Sequence, residues 1–268
     1  SSDETMSFET DDDVLHVRGA DSHFQIIGQS VREFPPVPDM EGEADLTVKV
    51  GVLRDAVEQT FFAAAKENTR YAINGVLWQK KDKQLLLVAT DGRRLAMSSA
   101  SLEKSVGDDV HAIVPTKALS VFTRLPLGGD ENLEIKLSAN QVLMRTEQAT
   151  ISSVLVEGHF PKYEDVIPRD NDKKIELQTD ELLSAVKRAA LLSSIDSKGI
   201  RIAIGPEGMV LSGRAQEHGE AVVKISGIQY TGSPITIGFN PEFLLDALKV
   251  CGETLTLELK ESARPGLF

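Results

Sequence analysis

The sequence predicts an α+β fold in which one module is used more than once. The first observation is a Phe34-Pro35 pair, followed by an acidic, proline-bearing stretch, which returns as Phe160-Pro161 about 126 residues on. Second, helix-like segments return at nearly the same interval: 53–64, with Ala56-Val57, matches 182–192, with Ala185-Val186, and 119–125 matches 244–250. A constant interval means one structural unit repeated, and a period of roughly 125 residues is domain-sized, so each copy can bury its own core. Third, alternation of apolar and polar residues dominates, while helical spacing is confined to four segments, two per copy. Helices packed on one face of antiparallel sheets follow from that order.

Strand-like alternation runs over 14–27, 45–50, 71–78, 84–90, 133–137, 142–156, 200–204, 220–225 and 254–259. The helical segments are 51–66, 116–125, 179–194 and 241–250, the last two opened by Thr179-Asp180 and Asn240-Pro241. Asp91-Gly92, between the apolar runs 85–89 and 95–97, reads as a tight hairpin turn of the primed type, which needs positive φ. The phase of the repeat divides the chain into 1–43, the rear half of a first copy, 44–167, a complete copy, and 168–268, a copy without its final strands. A fragment of a three-copy protein is the expectation.

The formal charge is −12, which excludes a surface coated for nucleic-acid binding but allows a local basic lining. Lys117, Ser120 and Arg124 fall at i, i+3 and i+7 on one side of a helix, Lys187 and Arg188 stand out similarly, and Lys249 lies opposite Phe243, Leu244 and Leu248. Arg124 and Lys249 occupy repeat-related positions. The five histidines have no metal-ligand spacing, and neither a phosphate-binding glycine loop nor a nucleophile elbow is present. No metal, no cofactor and no enzymatic activity are expected. The acidic runs at 11–13 and 170–172 read as solvated turns. One cysteine, Cys251, the lack of any 18-residue apolar run and an acidic N-terminus without signal-peptide features point to a cytoplasmic protein without a membrane span.

Five short segments carry a family resemblance. Asn68-Thr69-Arg70-Tyr71-Ala72-Ile73-Asn74-Gly75-Val76-Leu77, followed by Val88-Ala89-Thr90-Asp91-Gly92-Arg93-Arg94-Leu95-Ala96, resembles the middle domain of the bacterial DNA polymerase III β subunits, the sliding clamps. Gly158-His159-Phe160-Pro161-Lys162-Tyr163 with Val166-Ile167-Pro168 is similar to that family's link between second and third domains, and Ile237-Gly238-Phe239-Asn240 to its third-domain signature. The resemblance implies repeated clamp domains and a homodimeric ring around duplex DNA, lined by helices. It places Lys117, Arg124, Lys187, Arg188 and Lys249 toward DNA, with Arg70 and Tyr71 in a loop that touches it.

The resemblance further implies a groove that captures short linear peptides of the polymerase III catalytic subunit, the clamp loader and repair proteins. Its matched positions are Ile73, Thr90, Gly92, Arg93, Arg94, Leu95, Pro161, Val166, Asn240, Phe243, Ala263 and Pro265. Asp165 stands where relatives carry a basic residue, Arg93 where many have histidine, and Ala72 where many have an aromatic. Ring closure would involve Phe34 on one side and Leu191 and Leu192 on the other. The competing reading is a scaffold for protein interactions, built on the same repeated domain without DNA.

Overall fold

A computed structural model describes residues 5–34, 38–66, 72–107, 109–192, 199–215 and 219–268. They form two compact units, the first ending at Asp39 and the second running from Met40 to Phe268.

The first unit is an antiparallel meander of β1 (Ser7–Asp11), β2 (Val14–Arg18) and β3 (His23–Ile27). The stretch 14–27, expected as one strand, is therefore two. Gly19-Ala20-Asp21-Ser22 turns the chain, with the Gly19 amide donating to the Ser22 carbonyl at 2.9 Å. Register places Phe8, Val17 and Phe24 in one row and Thr10, Leu15 and Ile26 in the next, so one face of the sheet is apolar. Val17 in the central strand is buried, whereas Phe8, Phe24 and Ile26 are exposed.

The second unit contains the repeat. Its first run is β4 (Leu46–Lys49), α1 (Val50–Glu58), β5 (Gly75–Lys81), β6 (Gln84–Thr90), β7 (Leu95–Ser101), β8 (Lys104–Ser105), β9 (Val110–Pro115), α2 (Thr116–Arg124), β10 (Asn132–Leu137), β11 (Gln141–Arg145) and β12 (Thr150–Val154). The second run is β13 (Lys173–Gln178), α3 (Thr179–Ala190), β14 (Ile200–Gly205), β15 (Gly208–Ala215), β16 (Gly219–Ile225), β17 (Ile235–Phe239), α4 (Pro241–Leu248) and β18 (Thr254–Leu259).

The runs share topology and register. Sheet order β7-β6-β5-β9 in the first is matched by β16-β15-β14-β17 in the second, and the β4–β10 pair by β13–β18, all antiparallel. In both runs a strand passes straight into a helix, and the same backbone bond secures the junction. The Val50 amide donates to the Glu131 carbonyl at 2.9 Å, and the Thr179 amide to the Glu253 carbonyl at 3.0 Å. The helices pack in pairs, α1 on α2 and α3 on α4.

Each run has its own core. Trp78, Phe122, Leu53, Leu119, Ile135 and Met144 fill the first, while Ile175, Leu182, Val186, Ile202, Leu211 and Leu257 fill the second. Ala118, Leu119 and Phe122 form the buried stripe of α2, at helical spacing, which is why its basic residues point away from the sheets. A smaller cluster of Ala72, Leu77, Val88, Ile113 and Tyr163 covers the opposite face of the β7-β6-β5-β9 sheet.

Three further expectations on element bounds are corrected. The helix expected over 51–66 ends at Glu58, where the Thr60 hydroxyl donates to the Ala56 carbonyl at 2.8 Å and a short 3₁₀ turn, Phe61–Ala63, follows. The helix expected over 179–194 is helical through Ala190, and part of the remainder lies outside the described residues. The stretch 142–156 is two strands joined by a turn in which the Thr146 amide donates to the Ala149 carbonyl. No helix among the described residues is long and apolar enough to cross a membrane.

Candidate functional site

The β6–β7 hairpin presents four loop residues, Asp91 to Arg94, because Thr90 pairs with Leu95. The expected two-residue primed turn is thus a longer loop, shaped by side chains. Asp91 Oδ1 accepts from the Arg93 amide at 2.9 Å and the Arg94 amide at 3.1 Å, while Thr90 Oγ1 accepts from Gly92 at 3.0 Å and donates to the Arg94 carbonyl at 2.7 Å. Gly92 adopts φ +84°, which L side chains rarely tolerate.

This loop aims Arg94 across to the second run. Its Nε donates to Asp91 Oδ2 at 3.1 Å, Nη1 to Asp246 Oδ2 at 3.0 Å and Nη2 to the Phe62 carbonyl at 2.9 Å. The guanidinium also lies 4.4 Å from the Phe243 ring centroid and 5.4 Å from that of Phe62. A planar cation with fixed donors suits such a site because it can stack and hydrogen-bond at once. The sequence alone does not mark Phe62, Asp91 or Asp246 as site residues. Asp246 gives a faint signal, sitting three residues before Lys249 on one helix face.

The remaining groove candidates are spread over several elements. Leu95 is half-buried against the cluster of Leu77, Val88 and Tyr163, beneath the link that carries Phe160 and Ile167. Ile73 is buried, its carbonyl accepting from the Ala65 amide at 2.9 Å. The link is seated by the Ala72 amide, which donates to the His159 carbonyl at 3.3 Å, and by Gly158 at φ +123°. Pro161 lines a cavity of about 570 Å³ floored by Leu77, Ile113, Leu155 and Val156. At its wall Tyr163 Oη donates to Gln79 Oε1 at 2.6 Å, and burial, with the charge of Glu164, pushes that hydroxyl's pKa up. Val166 is exposed. Asn240 serves as the N-cap of α4, accepting from the Glu242 amide at 2.9 Å. Ala263 and Pro265 are exposed on either side of Arg264, which pairs with Asp170 at 3.6 Å.

The cation candidates divide by helix. Lys117 and Arg124 are exposed on α2, Lys187 and Arg188 on the last turn of α3, and Lys249 at the C-cap of α4. Lys249 also reaches Asp246 Oδ1 at 3.4 Å. Helix α1 exposes Val52, Asp55 and Glu58 instead, and its Arg54 is turned inward to the Leu125 and Leu127 carbonyls. Arg70 and Tyr71 lie outside the described residues. Phe34 and Leu191 are exposed and Leu192 half-buried.

Comparison with known proteins settles the family. Residues 47–162 match the model of the DNA polymerase III beta subunit central domain, and residues 164–268 that of its C-terminal domain. A beta sliding clamp of Salmonella typhimurium is 31% identical over 258 residues, 96% of this chain. The chain belongs to the beta sliding clamp family.

As a beta sliding clamp it spans 70% of the Salmonella typhimurium relative and 63% of the Escherichia coli beta sliding clamp, to which it is 32% identical over 232 residues. Solved sliding clamps share the fold. The DNA polymerase III subunit beta of Pseudomonas aeruginosa superposes with a TM-score of 0.88 at 31% identity, over 97% of this chain and 72% of that one. The Bacillus subtilis clamp gives 0.90 at 28% identity, over 97% and 70%. The repeated run of strands and helices is thus the clamp architecture, and the α+β expectation holds.

Proposed function

We propose that this chain acts as a DNA sliding clamp: a non-catalytic processivity factor, cytoplasmic and homodimeric, that encircles duplex DNA without reading sequence. It tethers the polymerase III catalytic subunit, the clamp loader and repair proteins through short linear peptides. Membership of the clamp family over nearly the whole chain carries this reading. Its domains are 1–43, 44–167 and 168–268.

Physical chemistry supports the assignment of surfaces. In a protein of net charge −12, exposed cations at repeat-related ends of α2 and α4, joined by Lys187 and Arg188 on α3, give a diffuse basic lining. Such contacts neutralise phosphates one at a time, hold no register and permit sliding. The family pattern assigns Arg70 and Tyr71 to the same DNA-facing set. The peptide groove uses Ile73, Leu95, Pro161 and Val166 as apolar wall, extended by Phe243 with Arg94 stacked on it, and Thr90, Gly92, Arg93 and Asn240 as its rim, with Ala263 and Pro265 at its margin. Phe34, Leu191 and Leu192 belong to the ring seam, and the exposed Phe24 and Ile26 join them, since an apolar sheet face of that kind requires cover.

Topological retention tests the reading. Loaded on nicked circular plasmid, the protein co-elutes with DNA in gel filtration and is lost when the plasmid is linearised. Retention on both forms, or on neither, refutes the clamp and favours a scaffold.

A further inference from the structure

Asp246 belongs neither to the cation faces nor to the groove positions read from the sequence, yet it touches one member of each. Its Oδ2 accepts from Arg94 Nη1 at 3.0 Å and its Oδ1 from Lys249 Nζ at 3.4 Å. The two cations differ in surroundings. The Arg94 side chain is 15% exposed, held additionally by Asp91 and the Phe62 carbonyl and stacked on Phe243, whereas that of Lys249 is 60% exposed. One carboxylate therefore stands between a solvent-facing lysine and an arginine that forms part of an apolar wall.

We propose that Asp246 is a positioning residue of the peptide groove, and that its hold on Arg94 is set by what Lys249 binds. The inference rests on the reading that Lys249 faces DNA and that Arg94 and Phe243 border the groove. Without DNA, the carboxylate divides its attraction between two cations. When a phosphate takes Lys249, the charge on Asp246 is left to Arg94 alone, and the guanidinium is fixed more firmly over Phe243. A wall ordered in advance asks less of an incoming apolar anchor, because less side-chain freedom is lost on binding. DNA and peptide then favour one another, and linkage requires each to raise the other's affinity by the same factor.

Peptide affinity with and without DNA tests this on the full chain. The probe is a labelled peptide with adjacent leucine and phenylalanine, read by fluorescence anisotropy at low salt, with and without saturating short duplex DNA. Wild-type protein binds the peptide about fivefold more tightly with DNA, at the lower end of ordinary coupling. Asp246→Asn binds it severalfold more weakly without DNA and shows no DNA response. Lys249→Gln also loses the response but keeps the tighter affinity, since Arg94 no longer shares the carboxylate. A purely structural Asp246 would lower peptide affinity and thermal stability together and leave the DNA response intact. A wild-type ratio of one, or a ratio unchanged in Asp246→Asn, overturns the coupling while leaving the groove in place. Failure of wild-type protein to bind peptide at all refutes the groove itself.

Discussion

Arg94 and Asp246, 152 residues apart in sequence, meet at 3.0 Å between the β6–β7 loop and α4. The contact joins the two repeated runs, whose cores are otherwise separate clusters. Arg94 is locally fixed before it reaches α4, because Asp91 shapes the loop through both backbone amides and grips the guanidinium through its other oxygen. A side chain oriented in this way loses little further freedom on pairing, so the bond contributes more than an unrestrained surface pair.

Removal of Arg94 should therefore weaken the junction between the runs. Arg94→Ala lowers folding stability by about 2 kcal/mol, discounted for the partial exposure of Asp246. Arg94→Lys recovers about half, since an ammonium keeps the charge but cannot stack on Phe243 and serve three acceptors together. The urea midpoints of the three proteins decide the matter, and equal midpoints would show that the junction does not depend on this arginine.

Two glycines with positive φ should respond differently to a methyl group. At Gly208, φ is +116° and an added Cβ would lie 2.5 Å from the Ile225 carbonyl oxygen, a backbone atom in the paired strand β16. Gly208→Ala costs about 3 kcal/mol from strain and clash together. Gly92 has φ +84° and open space around it, so Gly92→Ala bears only the dihedral penalty, about 1 kcal/mol. Thermal melting of both variants gives the comparison, and it fails if Gly92→Ala is the more damaging.

Cys251 follows α4 in a partly buried position, and burial pushes its thiol pKa above the ordinary value. A raised folded-state pKa favours the neutral thiol, so its contribution to stability is complete below the unfolded pKa and is lost as pH rises through and above it. Iodoacetamide, which attacks the thiolate, should modify native Cys251 more slowly than a cysteine in a short peptide across the mildly alkaline range. Urea should remove the difference. Equal rates in the native protein would show the thiol to be unprotected.

Local patterns were legible and tertiary pairings were not. Alternation delimited 84–90 and 254–259 to the residue, and helix starts at Thr116, Thr179 and Pro241 matched because strand or cap residues sit immediately before them. The helix from 51 looks longer in sequence than it is, because Phe61, Phe62 and Ala63 continue its apolar spacing, whereas the Thr60 hydroxyl turns back to the preceding turn. Strand β13 gives a weak signal because its alternation rests on Ile175 and Leu177 alone, and β1 gives none because Phe8 is its one apolar residue. At the site, Thr90 to Leu95 could be found because the hairpin is contiguous. Phe62 and Asp246 could not, since Phe62 meets Arg94 only when the first run has folded and Asp246 only when both runs have.

The DNA contacts should show in salt dependence. A lining of separate cations releases one set of counterions per phosphate engaged, so the slope of log affinity against log salt is about −0.9 for each contact. Replacing exposed Arg124 and Lys187 together by glutamine should make the slope less steep by about two and weaken binding equally on unrelated duplex sequences. Leu95→Ala, on the cluster beneath the link, should leave the slope unchanged while reducing peptide binding by about 2 kcal/mol. An unchanged slope in the double variant would exclude these helix faces from DNA contact. A slope altered equally by Leu95→Ala would mean that the basic and apolar surfaces cannot be separated.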